Sequence, residues 1–212
     1  LSRNLHFCQA RHQFTVTDAH RRAARHAYFG MISYIDTKVA ALRTALERSG
    51  MADNTIIILT ADHGEMMGER GMWFKQHFFE WAARVPLIMH APGRWQPRRV
   101  QQNCSLIDIM PTLLDLAGDA PFDDYVDPID GQSLVPALHG STDDLRDIAI
   151  SEFAADGSTG PSRMVKRGSV KYMDIEGVDE LLYDLASDPD ERINLIDHPD
   201  YADATDMSEI GY

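Results

Sequence analysis

The sequence predicts an α/β fold that gives way near residue 147 to a small antiparallel subdomain, and three observations predict it. A long apolar stripe of helical period occupies residues 18–49, and two short, wholly apolar runs follow at 55–60 and 85–90. After about residue 148 the helical pattern is replaced by short β-rich segments separated by turn residues. The expected organisation is therefore an α/β part over 1–147 and a small α+β part over 148–212 that ends in an acidic tail.

In the first helix, Ala24, Ala27, Tyr28, Met31, Ile35, Val39, Leu42 and Leu46 recur every three or four residues. That spacing puts them on one face. Arg21, Arg22, Arg25, Lys38, Arg43, Glu47 and Arg48 fall largely on the wet side. Thr17 or Asp18 can cap its start with a side-chain oxygen, and Gly50 is a natural stop. The run Thr55-Ile56-Ile57-Ile58-Leu59-Thr60 and its counterpart Val85-Pro86-Leu87-Ile88-Met89-His90 fit interior strands covered on both faces, as in parallel α/β sheets. Between them lie Gly64, Gly68 and Gly71, and a glycine-rich loop after a buried strand is where α/β folds place binding groups. Ser105 to Ala117 reads as a second amphipathic helix ended by Gly118, and residues 119–147 as an acidic, turn-rich connection. Ile148–Phe153 is an expected strand, 163–166 and 170–173 form an expected hairpin around Arg167-Gly168-Ser169, and Leu181–Leu185 adds a further strand.

Composition removes several functions. The 212 residues carry 20 basic and 33 acidic side chains, a net charge of −13 that argues against nucleic acid or an anionic membrane as partner. No run approaches the ~20 apolar residues of a membrane span. The two cysteines, Cys8 and Cys104, make neither a disulfide framework nor a zinc knot. The start, Leu1-Ser2-Arg3, has no initiator methionine and no signal-peptide core, as expected of a fragment or a processed chain. With few cysteines and no visible signal, the expected compartment is the cytoplasm. There is no P-loop, no dinucleotide fingerprint and no serine in a nucleophile elbow.

Chemistry concentrates after the first strand. Asp62-His63-Gly64-Glu65 offers a carboxylate and an imidazole side by side at a strand end, where both can converge on one ion. The alternative is a turn cap and a surface histidine. Lys75 stands among Trp73, Phe74, Phe78 and Phe79. A lysine so placed either meets an anion or lays its stem on the rings and keeps its ammonium in water. Glu80 and Arg84, one helical turn apart, are expected to form a structural pair. His77 stays ambiguous, and His90 is expected at a strand end.

The stretch Thr60-Ala61-Asp62-His63-Gly64-Glu65 followed by Gly68-Glu69-Arg70-Gly71-Met72-Trp73-Phe74-Lys75 resembles the sulfatase family of the alkaline-phosphatase superfamily. Four more segments agree in the same order: Arg84–Ile88 with Ala91-Pro92-Gly93; Ser105–Gly118; Asp130–Leu134 through Leu138-His139-Gly140; and Leu182-Tyr183-Asp184-Leu185 with Asp188-Pro189, Glu191 and Asn194-Leu195. Each is moderately specific alone, and together they span about 18–196. Within the family, Tyr28–Asp36 and Asp62–Pro92 look most like choline-sulfatases.

The resemblance implies part of an alkaline-phosphatase-like α/β sandwich and hydrolysis of a sulfate ester such as choline sulfate. It implies a formylglycine nucleophile and one divalent cation, Ca²⁺ first, with Mg²⁺ or Mn²⁺ as alternatives. Asp62 and His63 match the family's second pair of metal ligands, and Lys75 matches its sulfate-binding lysine. The Cys-x-Pro/Ala-Ser-Arg motif that supplies the nucleophile has no match: Cys8-Gln9-Ala10-Arg11 lacks the serine and is a decoy. The first carboxylate ligands are absent too. The chain thus resembles the C-terminal portion, somewhat under half, of a sulfatase, and alone is expected to be inactive. Its expected partners are the small sulfate ester, the missing N-terminal part and further copies of itself. Two other readings stand beside this one: a phosphonate monoester or phosphodiester hydrolase of the same superfamily, and a non-catalytic module lacking the nucleophile.

Overall fold

The computed structural model describes residues 15–118, 127–154, 160–175 and 180–202. The Cys8 motif, residues 119–126 of the acidic connection and residues 203–212 of the tail lie outside them. The chain divides into two compact units, Leu1–Trp95 and Gln96–Tyr212, while the change to a β-rich pattern falls at Ile148.

The first unit opens with helix α1, Asp18–Ser49. Thr17, not Asp18, is the cap: its Oγ1 accepts the His20 amide at 3.2 Å, and the His20 Nδ1 accepts the Thr17 amide at 3.4 Å. The helix ends at Gly50 in the left-handed region, φ 69°. Its apolar stripe is only partly covered: none of its residues is buried, Ala24, Tyr28, Val39 and Leu46 are half-buried, and Met31, Ile35 and Leu42 are 58%, 52% and 65% exposed. Periodicity reports a helix, but full burial needs a partner surface along its whole length.

Strands β1 (Ile57–Thr60), β2 (Met66–Met67), β3 (Trp73–Phe74) and β4 (Leu87–His90) follow, with the single-turn helix α2 (Glu80–Ala83) before β4. Both apolar runs are strands, each shorter than predicted at its N-terminal end. The parallel, doubly covered arrangement is corrected. β1 and β4 pair antiparallel, Ile57 opposite His90 and Thr60 opposite Leu87, and β4 alternates half-buried and exposed residues. A parallel pair needs a crossover of a dozen or more residues, usually a helix. The one turn of α2 is too short to serve as one. The Glu80–Arg84 pair forms, at 3.9 Å.

In the second unit, the 3₁₀ turn Leu106–Asp108 runs into helix α3 (Ile109–Ala117), which stops at Gly118, and a short helix α4 covers Val135–His139. The buried Asp108 carboxylate accepts the amides of Ser105 at 2.7 Å and Gln132 at 2.8 Å. Thr112 Oγ1, fully buried, accepts the Leu134 amide at 2.9 Å. These bonds seat the Asp130–Leu134 segment on the start of α3.

Strands β5 (Ile148–Phe153), β6 (Ser162–Arg167), β7 (Val170–Ile175) and β8 (Leu181–Asp184) form one antiparallel sheet in chain order. The predicted hairpin is β6–β7, closed by Gly168-Ser169 with Arg167 opposite Val170. Ile150, Val165, Tyr172 and Leu182 lie directly across from one another and form the core of one face with Leu195, Ile196 and Tyr201. On the other face Met164, Met173, Ile175 and Tyr183 are buried. Asn103 ties the sheet to the segment before α3, its amide donating to Asp147 at 2.6 Å and its side chain to the Gly168 carbonyl at 2.9 Å. Among the described residues no helix is long and apolar enough to cross a membrane.

Asp184, at the end of β8, is held in its ionised form by its neighbours. A hydrogen bond from Ser169 holds its carboxyl below the ordinary value of 3.8, helped by the Ala186 amide and the Tyr201 and Ser187 hydroxyls, against a smaller opposing effect of burial. A group whose folded pKa is depressed stabilises fully above its unfolded value and loses that contribution as pH falls through the folded one. Urea unfolding between about pH 5 and pH 3 should therefore show stability falling with acid, and less steeply in Asp184→Asn. Identical slopes would remove Asp184 from the account.

Candidate functional site

The candidate site lies at the C-terminal end of β1. The chain leaves Thr60 and reaches Asp62, whose side chain is 84% exposed and whose Oδ1 accepts the His63 amide at 3.0 Å. The segment is fixed from behind: the Gly64 amide donates to the Ala82 carbonyl at 2.7 Å, and the Glu65 amide to the Trp81 carbonyl at 2.8 Å. A Cβ at residue 64 would collide with the Trp81 carbonyl. Gly64 is there for close approach to α2 rather than for a left-handed turn.

From Glu65 the chain enters the β2–β3 hairpin, which pairs Met66 with Phe74 and Met67 with Trp73. This register brings Lys75 back beside the strand end, twelve residues after His63. The Lys75 ammonium donates to His63 Nε2. The Gly64 carbonyl can only accept, so the 2.7 Å contact from His63 Nδ1 puts the ring proton on Nδ1. Nε2 then keeps its lone pair and faces Asp62 Oδ2 at 3.2 Å. Lys75, twelve residues on, thus meets the adjacent Asp62 and His63 at His63 Nε2.

The electrostatics agree with that geometry. The Asp62 carboxyl is held below its ordinary value, first by the hydrogen bond from the His63 amide and more weakly by the nearby Lys75 ammonium, against an effect of burial that is smaller than that hydrogen bond. A carboxylate oxygen and an imidazole lone pair 3.2 Å apart repel unless a cation lies close by, a place the Lys75 ammonium takes here. By donor chemistry the pair also fits a divalent cation, with Asp62 supplying a hard oxygen and His63 a borderline nitrogen. Among the described residues no third His, Cys, Asp or Glu joins them to complete a metal-binding group.

Other candidates stand apart. His77 is buried and its Nδ1 accepts the Phe79 amide at 3.2 Å, a structural role. His90 ends β4 as expected. One residue escaped the sequence reading. Arg25, assigned to the wet side of α1, donates from Nε to the Met67 carbonyl at 3.1 Å and from Nη2 to Glu69 at 2.5 Å. No local pattern signals a contact between residues 44 apart.

A family profile described as "Sulfatase" matches residues 5–119, and one described as "N-sulphoglucosamine sulphohydrolase, C-terminal" matches residues 68–209. The chain is 41% identical over 186 residues to the choline-sulfatase of Rhizobium meliloti (strain 1021), covering 88% of this chain and 36% of that protein. It is 31% identical over 195 residues to arylsulfatase K of Mus musculus, covering 87% and 33%. The crystal structure of phosphonate monoester hydrolase of Agrobacterium radiobacter matches with a TM-score of 0.79 at 36% identity, over 91% of this chain and 41% of that one. The chain thus spans about a third of the length of these curated relatives. The expected fold class, part of an alkaline-phosphatase-like α/β sandwich, is the one it shares with its structural neighbours. Two profiles that between them run from residue 5 to residue 209 leave one conclusion: the chain belongs to the sulfatase family.

Proposed function

We propose that the protein carrying this chain hydrolyses sulfate esters, with choline sulfate or a similar small cationic ester as substrate. In this reading the chain supplies two ligands to a divalent cation, Ca²⁺ first, and a lysine to the sulfate. The formylglycine nucleophile and the remaining ligands come from residues beyond this chain, which alone is inactive. The observation that carries the reading is the meeting of Asp62, His63 and Lys75 at the end of β1. Likeness to a choline-sulfatase and an arylsulfatase supports the reaction class. The compartment we propose is the cytoplasm.

Bound by Asp62 and His63, a divalent cation supplies charge neutralisation at the sulfuryl oxygens and lowers the pKa of an attacking hydroxyl. The chain's own residues prepare that site. The Gly64 carbonyl holds the Nδ1 proton, so His63 presents Nε2 as a lone-pair donor. The hydrogen bond from the His63 amide keeps Asp62 ionised. Lys75, whose ammonium donates to His63 Nε2, would turn it to a sulfate oxygen, where it stabilises the negative charge that grows as the ester bond breaks.

Likeness to the phosphonate monoester hydrolase favours a second reading, phosphonate or phosphodiester hydrolysis at the same site. Comparing nitrophenyl sulfate with phenyl phosphonate in the intact protein separates the two. Faster turnover of the sulfate is expected, and the reverse order replaces the first reading with the second. Lys75→Met should keep the metal and lower kcat by about a hundredfold to a thousandfold, as loss of one electrostatic stabiliser typically does. Unchanged kcat would remove Lys75 from the site.

A further inference from the structure

We infer that Arg25 of helix α1 is a positioning residue that, through Glu69, holds the β2–β3 hairpin so that Lys75 reaches the site. The inference rests on the sulfate-ester reading of that site.

The hairpin has only two residue pairs, Met66–Phe74 and Met67–Trp73. An isolated two-stranded ribbon is marginal in water even when longer. It also carries strain. Phe74, immediately before Lys75, sits at φ 69°, and Arg70 in the loop at φ 53°. Bulky residues rarely occupy that region, and such conformations persist where surrounding structure imposes them.

The restraint comes from α1. The Arg25 fork reaches two acceptors on the ribbon, the Met67 carbonyl at 3.1 Å and Glu69 Oε1 at 2.5 Å. Glu69 closes the link, its other oxygen accepting the Met67 amide at 2.5 Å. Both faces of one peptide position on β2 are thus tied, directly or through Glu69, to a single guanidinium. One turn earlier on α1, the Arg21 stem lies where a side chain at Gly68 would go. An exposed ion pair alone contributes little. Here Glu69 is largely covered and the guanidinium also bonds backbone, so the contact fixes geometry rather than merely adding charge. The ribbon's far strand ends at Phe74, so displacement of β2 moves Lys75 with it.

The test is a double-mutant cycle in the intact protein, with hydrogen exchange as a readout independent of activity. Arg25→Met should speed exchange of the Met67, Gly68 and Met72 amides while leaving those of β1 and β4 unchanged. It should lower kcat for nitrophenyl sulfate roughly tenfold to a hundredfold, as small misplacements of catalytic groups do, with a smaller change in KM. In a Lys75→Met background the same substitution should cost less than about twofold, because its effect passes through Lys75. Arg25→Lys, which can reach only one of the two acceptors, should fall between, and it carries the test if Arg25→Met does not fold. Unchanged exchange in the hairpin, or equal losses with and without Lys75, overturns the inference. Absence of sulfate turnover in the unmodified protein sinks the functional reading instead, and the exchange result still decides whether the clamp exists.

Discussion

Replacing Asp62 with alanine in the intact protein is expected to abolish metal binding and turnover together. The carboxylate is the only charged ligand the described residues bring to the site, and of this chain's pair only His63 would remain. Turnover should fall at least about a thousandfold, or ~4 kcal/mol of barrier. Asp62→Asn, which keeps an oxygen but not the charge, should retain weak occupancy at high metal concentration. Because Asp62 is 84% exposed, neither change should measurably shift the unfolding midpoint of the metal-free protein, which separates a lost ligand from a lost fold. The depressed pKa adds a sign: Asp62 is ionised throughout the neutral range, and its own contribution to occupancy is lost only as pH falls below the ordinary carboxylate range. Metal content and rates measured on the same preparations decide the matter. Full metal and unimpaired turnover in Asp62→Ala would move the catalytic assignment elsewhere and favour a binding module.

What could be read in advance divides along the distance over which each cause acts. The limits of α1 were legible because caps and periodicity are local, and Thr17, His20 and Gly50 stand within a turn of the ends they set. The exposure of its apolar face was not, since that depends on what lies against it. The strands of the C-terminal sheet were legible to within a residue or two, because alternation, β-branched residues and the Gly168-Ser169 turn all fall inside short windows. The pairing direction of β1 and β4 was not, because a wholly apolar run is equally compatible with either direction. At the site, Asp62 and His63 are neighbours and could be found from their setting. That Lys75 meets them depends on the β2–β3 register, and Arg25 on a contact across 44 residues. Local rules find the donors, and only the fold brings their partners to them.

The largest effect on stability is expected at a pair far from this chemistry in the sequence. Lys171 on β7 and Glu191 after β8 form an ion pair at 2.8 Å with side chains 0% and 2% exposed. Lys171 shares its face of the sheet with Met173 and Ile175 and lies opposite Tyr183, all of them buried. Glu191 meets it from a backbone held at φ 55°, a conformation most residues avoid. Two charges removed from water lose several kcal/mol of solvation each, which their attraction roughly offsets, so the intact pair need add little net stability. Breaking it is another matter. Lys171→Met keeps the stem and removes the charge, leaving the carboxylate buried without its counter-ion, at a cost of about 3–5 kcal/mol. Glu191→Gln strands the ammonium and should cost a similar amount. In the double variant no buried charge remains, so its loss should be smaller than the sum of the two and close to that of one. Urea unfolding of the chain measures all four proteins. Losses of under about 1 kcal/mol in both single variants, or strict additivity in the double, would show that water reaches the pair and that its burial sets nothing.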